Sequence, residues 1–255
     1  MLVQINYDIS FSAPFHLGTG ISAGMIDRTV IRDAQGYLYV PASTFKGVLR
    51  EQCERLCRIY LPDAPQQAIS PHDAEAVLAE FNGIPTIISR IFGSSLHPGE
   101  LRFSDAKQRE NYEQRNAREL YIQAQTSVAT QVRIDRLTRT AADEALYTSE
   151  FGVDYLTFTG TIKGQLNCTP IDALARTTYE QKTVTPSYSL LLLLAGLMMI
   201  ERLGGNKSTG KGECTCRIIG LWLDKNLCRE DYWQYWLDNL TLLSDYPRNK
   251  EGEQA

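Results

Sequence analysis

A glycine-rich, basic segment at residues 204–212, GGNKSTGKG, is the part of the sequence best suited to binding phosphate. The spacing of Gly205, Gly210 and Lys211 approaches that of a nucleotide-binding P-loop. That motif requires Ser or Thr where Gly212 stands, and it must lead from a strand into a helix. Here an apolar helical pattern precedes the loop and a strand pattern follows it, which argues against an ATPase.

The same loop can still bind phosphate without being a P-loop. Glycines let a backbone approach a ligand closely, and Lys and Ser side chains donate hydrogen bonds to phosphate oxygens. The candidate contacts are Gly204, Gly205, Lys207, Ser208, Gly210 and Lys211. Such a site would suit an RNA backbone, but a surface turn explains the composition equally well, and the residues alone leave both interpretations open.

A second candidate is Asp27, which lies in a Gly-containing loop and is flanked by Arg28 and Arg32. A carboxylate beside a phosphodiester can hold a divalent metal ion or position the 2′-OH of RNA for attack on its own phosphate. The alternative is an aspartate that only caps its loop, which is common in turns. Asp33 is a weaker candidate because it directly precedes a predicted turn.

A third candidate is the start of a helix predicted to begin with Ser43 as its N-cap and to end before Pro62. Lys46 and Arg50 are four residues apart and share one face of this helix, so with its first amides they could bind an anion. A solvated basic face is the alternative. His16 could contact a ribose or base, although a lone His is more often structural.

The six cysteines are too sparse for a disulfide scaffold in a chain of 255 residues. Cys53 and Cys57 share a helix face and could hold zinc together with His72, but reduced, buried thiols are the simpler interpretation. The net charge of −4 excludes a histone-like polycation but not a local basic patch. With no apolar run long enough to span a membrane, we expect a soluble, cytoplasmic protein.

The elements that must position these residues follow an α+β order. Alternation predicts strands at 2–12, 153–165 and 213–223, a hairpin at 30–41 and a short strand at 100–106. Helical spacing appears after residue 43 and in the apolar segment 187–203. This order suits an antiparallel sheet with helices on one face, as in ferredoxin-like folds enlarged by insertions.

Taken together, these segments resemble the RAMP superfamily, specifically backbone subunits of type III CRISPR effector complexes. Seven segments occur in the family's order. They are FHLGTG at 15–20, the Asp27 loop with VIRD at 30–33, VPASTFKGVLR at 40–50, RIFGSS at 90–95, LRFSDA at 101–106, VRIDRLTRTAADEALYTSEF at 132–151 and LGGNKSTGKGE at 203–213. Each motif alone is weak, but seven in order are specific.

The resemblance implies one domain with a modified, RNA-recognition-type ferredoxin-like palm, a fingers insertion and a thumb hairpin. The expected boundaries are a palm at about 1–60, 90–106 and 153–223, an insertion at about 62–89, a thumb at about 107–152, and an acidic amphipathic C-terminal helix at about 229–244.

The resemblance also implies roles. The chain would bind guide RNA and complementary target RNA in an antiviral ribonucleoprotein, beside other RAMP-type subunits and a large polymerase-like subunit. Asp27 falls at the position of the cleaving aspartate, whose endoribonuclease chemistry needs a divalent ion such as magnesium. The remaining expected RNA contacts are His16, Arg28, Arg32, Ser43, Lys46, Arg50, Arg133, Arg136 and the loop residues named above. A catalytically silent backbone subunit and a guide-processing endonuclease remain alternatives.

Overall fold

The computed structural model describes residues 1–62, 86–108, 118–135, 137–167, 169–177 and 183–247. Its central strand is β1 (Leu2–Phe11), which pairs antiparallel with β7 (Thr157–Gln165) on one side and β10 (Cys214–Leu223) on the other. Every second residue of β1 from Val3 to Phe11 is buried, as strict alternation predicts. The predicted strands at 2–12 and 213–223 are therefore confirmed. The strand predicted at 153–165 begins only at Thr157, because residues 153–156 form a turn in which Tyr155 has φ +61°.

Four shorter strands complete this sheet within the described residues, in the order β11-β10-β1-β7-β4-β2, with β3 also paired to β7. They are β2 (Tyr39–Val40), β3 (Leu101–Phe103), β4 (Ala106–Gln108) and β11 (Asn226–Cys228). The predicted hairpin at 30–41 is mostly a tight turn. Its Asp33 carboxylate accepts hydrogen bonds from the amides of Gln35 and Tyr37, as expected of turn chemistry.

Helices cover one face of the sheet. The longest is α1 (Ala42–Tyr60), which packs against the largely apolar, buried α4 (Tyr188–Met198). The shorter helices are α2 (Ile87–Phe92), α3 (Arg118–Ala124) and α5 (Glu230–Asp238), and 3-10 turns occur at Asp172–Leu174, Lys207–Thr209 and Leu240–Asp245. The predicted C-terminal helix is thus shorter than expected, since it gives way to a 3-10 turn. No described helix has the length and apolar character needed to cross a bilayer.

Two details of α1 correct the sequence prediction. The N-cap is Pro41 rather than Ser43, because the extended backbone of Pro41 directly precedes helical Ala42. The amide of Ala42 donates to the Asp105 carboxylate at 2.8 Å, so a side chain from outside the helix satisfies its first amide. Ser43 instead lies exposed in the first turn. Helical spacing predicts that Ile59 shares the buried face of Leu56, but Ile59 is exposed whereas Leu56 is buried.

Apart from the sheet, β5 (Thr126–Ile134) and β6 (Ala141–Gly152) form an antiparallel two-stranded hairpin in the segment expected to be the thumb. Val132 and Leu146 are opposite each other and both are exposed, as is Leu137 in the connecting turn. A further pair, β8 (Arg176–Thr177) and β9 (Thr183–Val184), lies before α4. Among the hairpin strand residues whose burial is described, those that are buried lie at its base, at 149–152.

The sheet depends on a glycine opposite an aromatic residue. Gly160 of β7 faces Tyr7, whose ring stacks on Phe45 of α1 at 4.3 Å between centroids. A Cβ at Gly160 would lie 2.4 Å from the Tyr7 hydroxyl. We therefore expect Gly160→Ala to lower the free energy of unfolding by about 1–3 kcal/mol through overpacking.

Gly47→Ala is the matched control for this measurement, made by urea unfolding. Gly47 lies on the exposed side of α1, and nothing would contact its Cβ within 4 Å. Alanine should stabilise the helix there by about 0.5–1 kcal/mol. Equal effects of the two substitutions would contradict the close packing of Tyr7 between β7 and α1.

Candidate nucleic-acid interface

Three segments of the chain meet around His16. The loop that follows β1 places Phe15 against Phe11, with ring centroids 3.9 Å apart. Phe15 exchanges two backbone hydrogen bonds with Gly152 at the base of the hairpin, at 3.0 and 2.8 Å. A Cβ at Gly152 would lie 2.3 Å from the Phe15 ring, so only glycine permits this contact. His16 adds a hydrogen bond at 2.9 Å between Nδ1 and the carbonyl of Glu150.

The glycine-rich loop docks on the other side of the same segment. The amide of Gly205 donates to the His16 carbonyl at 2.8 Å, and that of Gly212 donates to Pro14 at 2.9 Å. Gly204 has φ +94°, and a Cβ there would lie 2.5 Å from the His16 carbonyl oxygen. Two independent constraints, backbone conformation and space, therefore require glycine at this position.

The outer half of the loop is open to solvent. A short 3-10 turn is bracketed by Asn206 and Gly210, both in the left-handed region, and Ser208 lies exposed in between. The Nζ of Lys211 lies 5.0 Å from the centroid of the Phe151 ring, on the hairpin. Since the loop leads from α4 into β10, it has the opposite context to a P-loop, as the sequence predicted.

Asp27 is held against strand β6. Its amide donates to the carbonyl of Thr148 at 2.9 Å, and the Thr148 amide donates to Oδ2 of Asp27 at 2.7 Å. Asp27 is exposed, and no described residue donates a hydrogen bond to its Oδ1. One carboxylate oxygen therefore fixes the loop, while the other faces solvent and can accept a proton or a hydrogen bond. No pattern in the sequence identifies Thr148 as the hydrogen-bond partner of Asp27.

The residues around Asp27 do not fit a metal site held by the protein. Across the described part of the chain, no three His, Cys, Asp or Glu side chains group closely enough to bind an ion. Hard divalent cations such as Mg²⁺ require near-octahedral oxygen coordination, and one free carboxylate oxygen falls short of it. The described residues around Asp27 therefore form no preformed protein cage for the expected magnesium.

The two arginines near Asp27 differ in their surroundings. Arg28 is exposed, and its guanidinium carbon lies 5.0 Å from the centroid of the Tyr147 ring. Arg32 is engaged in structure: it donates to the Glu150 carboxylate at 2.7 Å, to the Thr126 hydroxyl at 2.9 Å and to the Gly36 carbonyl at 3.0 Å. The structure thus places Arg32 in an anchor for the hairpin rather than in an open phosphate contact.

Glu150 is the principal site residue that sequence reasoning missed. Its side chain also accepts a hydrogen bond from the buried amide of Val30 at 3.0 Å, which joins the Asp27 loop to the hairpin. Burial alone would raise the pKa of the Glu150 carboxyl. The hydrogen bonds from Val30, Arg32 and Thr126, together with the charge of Arg32, outweigh burial and lower this pKa.

The lowered pKa of Glu150 predicts a pH dependence of stability. The ionised carboxylate stabilises the fold fully above the unfolded-state pKa of about 4.3, and this contribution is lost as the pH falls through the lowered folded-state value. We expect the difference in unfolding free energy between the parent chain and Glu150→Gln to shrink as the pH is lowered from 7 to 3.5. Urea unfolding at several pH values measures this. A difference that stayed constant would contradict the ionised anchor.

A second basic group lies at the start of α1. The Nζ of Lys46 is 5.7 Å from the Phe103 ring centroid, and burial together with the neighbouring Arg50 charge lowers the Lys46 pKa. Arg50 donates to Glu54 at 3.0 Å and to the Gly93 carbonyl at 2.9 Å, so it anchors the turn after α2. Among the described residues, no hydrogen bond, ion pair or ring contact joins this group to the glycine-rich loop.

The zinc candidates are placed apart from any open site. Cys53 and Cys57 are buried between α1 and α4, where the Cys53 thiol donates weakly to the Leu192 carbonyl. Burial raises the pKa of both thiols, that of Cys57 to about 12. This geometry favours reduced core thiols over zinc ligands. His72, Arg136 and the side chain of Arg133 lie outside the described residues.

Comparison with solved structures identifies chains with a similar fold. Two solved structures of the type III-B Cmr-beta complex, one in the apo state and one bound to cognate target RNA, contain a similar chain. Both matches have a TM-score of 0.51 and a sequence identity of 14%. The match with the apo-state structure covers 85% of this chain and 97% of the Cmr-beta chain. The match with the RNA-bound structure covers 84% of this chain and 96% of the Cmr-beta chain. The likeness confirms the predicted modified ferredoxin-like palm. Comparison with curated protein sequences finds no match.

The motifs quoted from the sequence are supported by a model of a protein family. The model described as RAMPs, the RAMP superfamily, matches residues 8–215. This range begins within β1, includes the loops around His16 and Asp27, the hairpin and the glycine-rich loop, and ends within β10. The chain therefore belongs to the RAMP superfamily.

Proposed function

We propose that this chain is a backbone subunit of a type III CRISPR effector complex that binds guide RNA and cleaves complementary target RNA with Asp27. One observation carries the proposal: the glycine-rich loop, the His16 segment and the base of the hairpin meet at one place, and the adjoining loop presents Asp27 with a free carboxylate oxygen. Family membership and the likeness to chains of a Cmr complex support it.

The guide backbone would lie on the glycine-rich loop. The positive φ values at Asn206 and Gly210 turn this backbone sharply, and the exposed Ser208 hydroxyl lies between Lys207 and Lys211. Amides, a hydroxyl and two cations on one exposed turn suit phosphate oxygens better than base edges. Sequence recognition would then come from base pairing between guide and target, with the protein recognising the backbone.

Cleavage would use the 2′-OH of the target as the nucleophile. Oδ1 of Asp27 accepts the 2′-OH proton as the 2′-oxygen bonds to phosphorus, and the bond between phosphorus and the 5′-oxygen breaks. The leaving 5′-oxygen takes up a proton from water, and the resulting hydroxide takes the proton from Asp27, so the products are a 2′,3′-cyclic phosphate and a 5′-OH and the carboxylate is restored. Arg28, exposed beside Asp27, can stabilise charge on the phosphoryl oxygens. Each of these steps uses groups of this chain or water.

A catalytically silent backbone subunit is the second candidate. The hydrogen bond from the Thr148 amide to Asp27 favours this candidate, because an aspartate that only stabilises its loop would accept the same bond. The third possibility, a guide-processing endonuclease, has less support because Nδ1 of His16 is already engaged with the Glu150 carbonyl.

RNA binding itself is tested through its dependence on salt. We expect Lys207→Ala and Lys211→Ala each to weaken guide-RNA binding at every salt concentration. Each lost phosphate contact should reduce the slope of log K against log salt by about 0.7, because fewer counterions are released from a single strand. Fluorescence anisotropy from low to high salt measures both quantities.

The control is Arg55→Ala, which removes a cation from the exposed side of α1 that no contact joins to the loop. This variant should keep the parental affinity and slope. Two results would contradict a phosphate-binding role for the glycine-rich loop. One is an RNA affinity of the parent chain that does not change with salt concentration, and the other is an equal loss of RNA affinity in all three variants.

A further inference from the structure

The sheet has a second face, on the side opposite α1 and α4, that these two helices leave uncovered. On β1 this face carries Gln4, Asn6, Asp8 and Ser10, and the register places threonines of β7 beside them. Asp8 accepts a hydrogen bond from the Thr159 hydroxyl, and Asn6 accepts one from Thr161. A ladder of hydroxyl, amide and carboxyl groups therefore crosses the middle of the sheet, on the side opposite α1 and α4.

Four cations line the same face. Lys163 of β7 is paired in register with Arg102 of β3, Lys107 of β4 lies opposite Thr159, and Arg217 of β10 lies opposite Asp8. All four are exposed, and none forms an ion pair within the described part of the chain. Asp8 is the single carboxylate among the open-face positions of these strands. The face is therefore strongly positive in a chain whose net charge is −4.

One end of the face forms a small cavity of about 230 Å³, lined by Asp8, Gln108, Tyr121, Tyr155, Leu156, Thr157 and Thr159. The side chains of Thr157 and Thr159 line this cavity beside Asp8, on the open face of the sheet. Tyr155 is 82% exposed although its backbone has φ +61°, an uncommon conformation for a tyrosine. Threonine hydroxyls, a carboxylate acceptor and an exposed ring in one small cavity suit the edge and face of a nucleobase.

The other end of the face has a second aromatic ring. Trp222 of β10 is half-buried, lies opposite Gln4, and extends its ring over Gly220. Since Ser10 is paired with Thr157 next to Tyr155, six residues of β1 separate the two rings along the strand. At a rise of about 3.3 Å per residue the separation is about 20 Å, with the cations and hydroxyls in between.

We propose that this open face binds a second segment of single-stranded RNA, with one base in the Asp8 cavity. Single-strand sites combine a positive groove with aromatic side chains on which bases stack, and this face has both features. A protein partner is less favoured because the cores of protein interfaces are depleted of charged residues, notably lysine. The inference rests on the proposed function only in that the ligand is RNA; the face shares none of the residues around His16 and Asp27.

The test uses the full chain and a labelled single-stranded oligoribonucleotide, with binding followed by anisotropy. The double charge reversal Lys163→Glu with Arg217→Glu should weaken binding and reduce the salt slope by about 1.4, for two lost phosphate contacts. Tyr155→Asn removes the ring while tolerating the positive φ, and it should weaken binding about tenfold. Binding should also quench Trp222, since Trp233 and Trp236 are buried.

The matched control is Arg55→Glu, a charge reversal on the helical side of the molecule, which should leave binding unchanged. Near-UV circular dichroism checks that each variant is folded. The double substitution Lys163→Gln with Arg217→Gln removes the two charges without reversing them, so it disturbs the fold less. If the open-face variants bind like the parent while Lys207→Ala weakens binding, the inference is overturned and the proposed function stands. If these variants keep RNA affinity but lose a co-purifying protein, the face is a protein interface and the inference is likewise overturned.

Discussion

Substituting Asn for Asp27 is expected to abolish target-RNA cleavage while leaving guide and target binding intact. Asn keeps an oxygen that can accept the hydrogen bond from the Thr148 amide, so the loop should stay docked on β6. What is lost is the charged oxygen that takes the 2′-OH proton. General-base catalysis contributes about 10²- to 10⁴-fold, so we expect a fall in the cleavage rate of that order. The rate is measured in an assembled complex in which every copy carries the substitution.

Two variants separate chemistry from structure at this site. Asp33→Asn alters another loop aspartate, six residues away, whose carboxylate accepts amide hydrogen bonds in a turn, and it should cleave at the parental rate. Asp27→Ala removes both the charge and the bond to Thr148, so it should lose cleavage and also loosen the loop. Parental cleavage by Asp27→Asn would leave the catalytically silent subunit as the better account.

Arg32→Ala should destabilise the base of the hairpin. Removing the guanidinium leaves the nearly buried Glu150 carboxylate without its ion pair and removes hydrogen bonds to Thr126 and Gly36. Breaking a buried ion pair costs about 3–5 kcal/mol. Because the Arg32 side chain is 28% exposed, we expect about 2–3 kcal/mol in the free energy of unfolding, measured by urea titration.

Arg28→Ala is the control, since the Arg28 side chain is exposed, and the Tyr147 ring is the one contact recorded for it among the described residues. Its backbone hydrogen bonds to the hairpin are unaffected by the substitution. Its stability should change by less than about 0.5 kcal/mol. A double-mutant cycle with Glu150→Ala should show a large coupling between Arg32 and Glu150. If Arg32→Ala instead kept full stability and lost only RNA affinity, Arg32 would be a phosphate contact, as the sequence first suggested.

The sheet was predictable because its strands follow simple physical patterns. Burial on one side of a strand forces alternation, which is why Val3, Ile5 and Tyr7 identified β1 from the sequence. The glycine-rich loop was identifiable for a similar reason, since close backbone approach and positive φ at Gly204 require glycine. Features of this kind are determined by local chemistry.

The partners of charged side chains were not predictable in this way. Arg32 and Glu150 are 118 residues apart, and nothing local indicates that they form an ion pair. Arg50 looked like an open basic residue, but its environment is set by Glu54 and by the Gly93 carbonyl across the fold. Single sequences show which residues can carry charge, whereas tertiary structure decides which charges remain free to meet a ligand.

The RNA that co-purifies with the native assembly tests the central claim most directly. The assembly is isolated gently, and its RNA is extracted, sized and sequenced. The account predicts short guide RNAs in stoichiometric amounts, held in a large complex that contains this chain and released when Lys207 and Lys211 are both replaced by Ala. An assembly free of RNA, or one whose RNA is random cellular fragments unaffected by these substitutions, would contradict it.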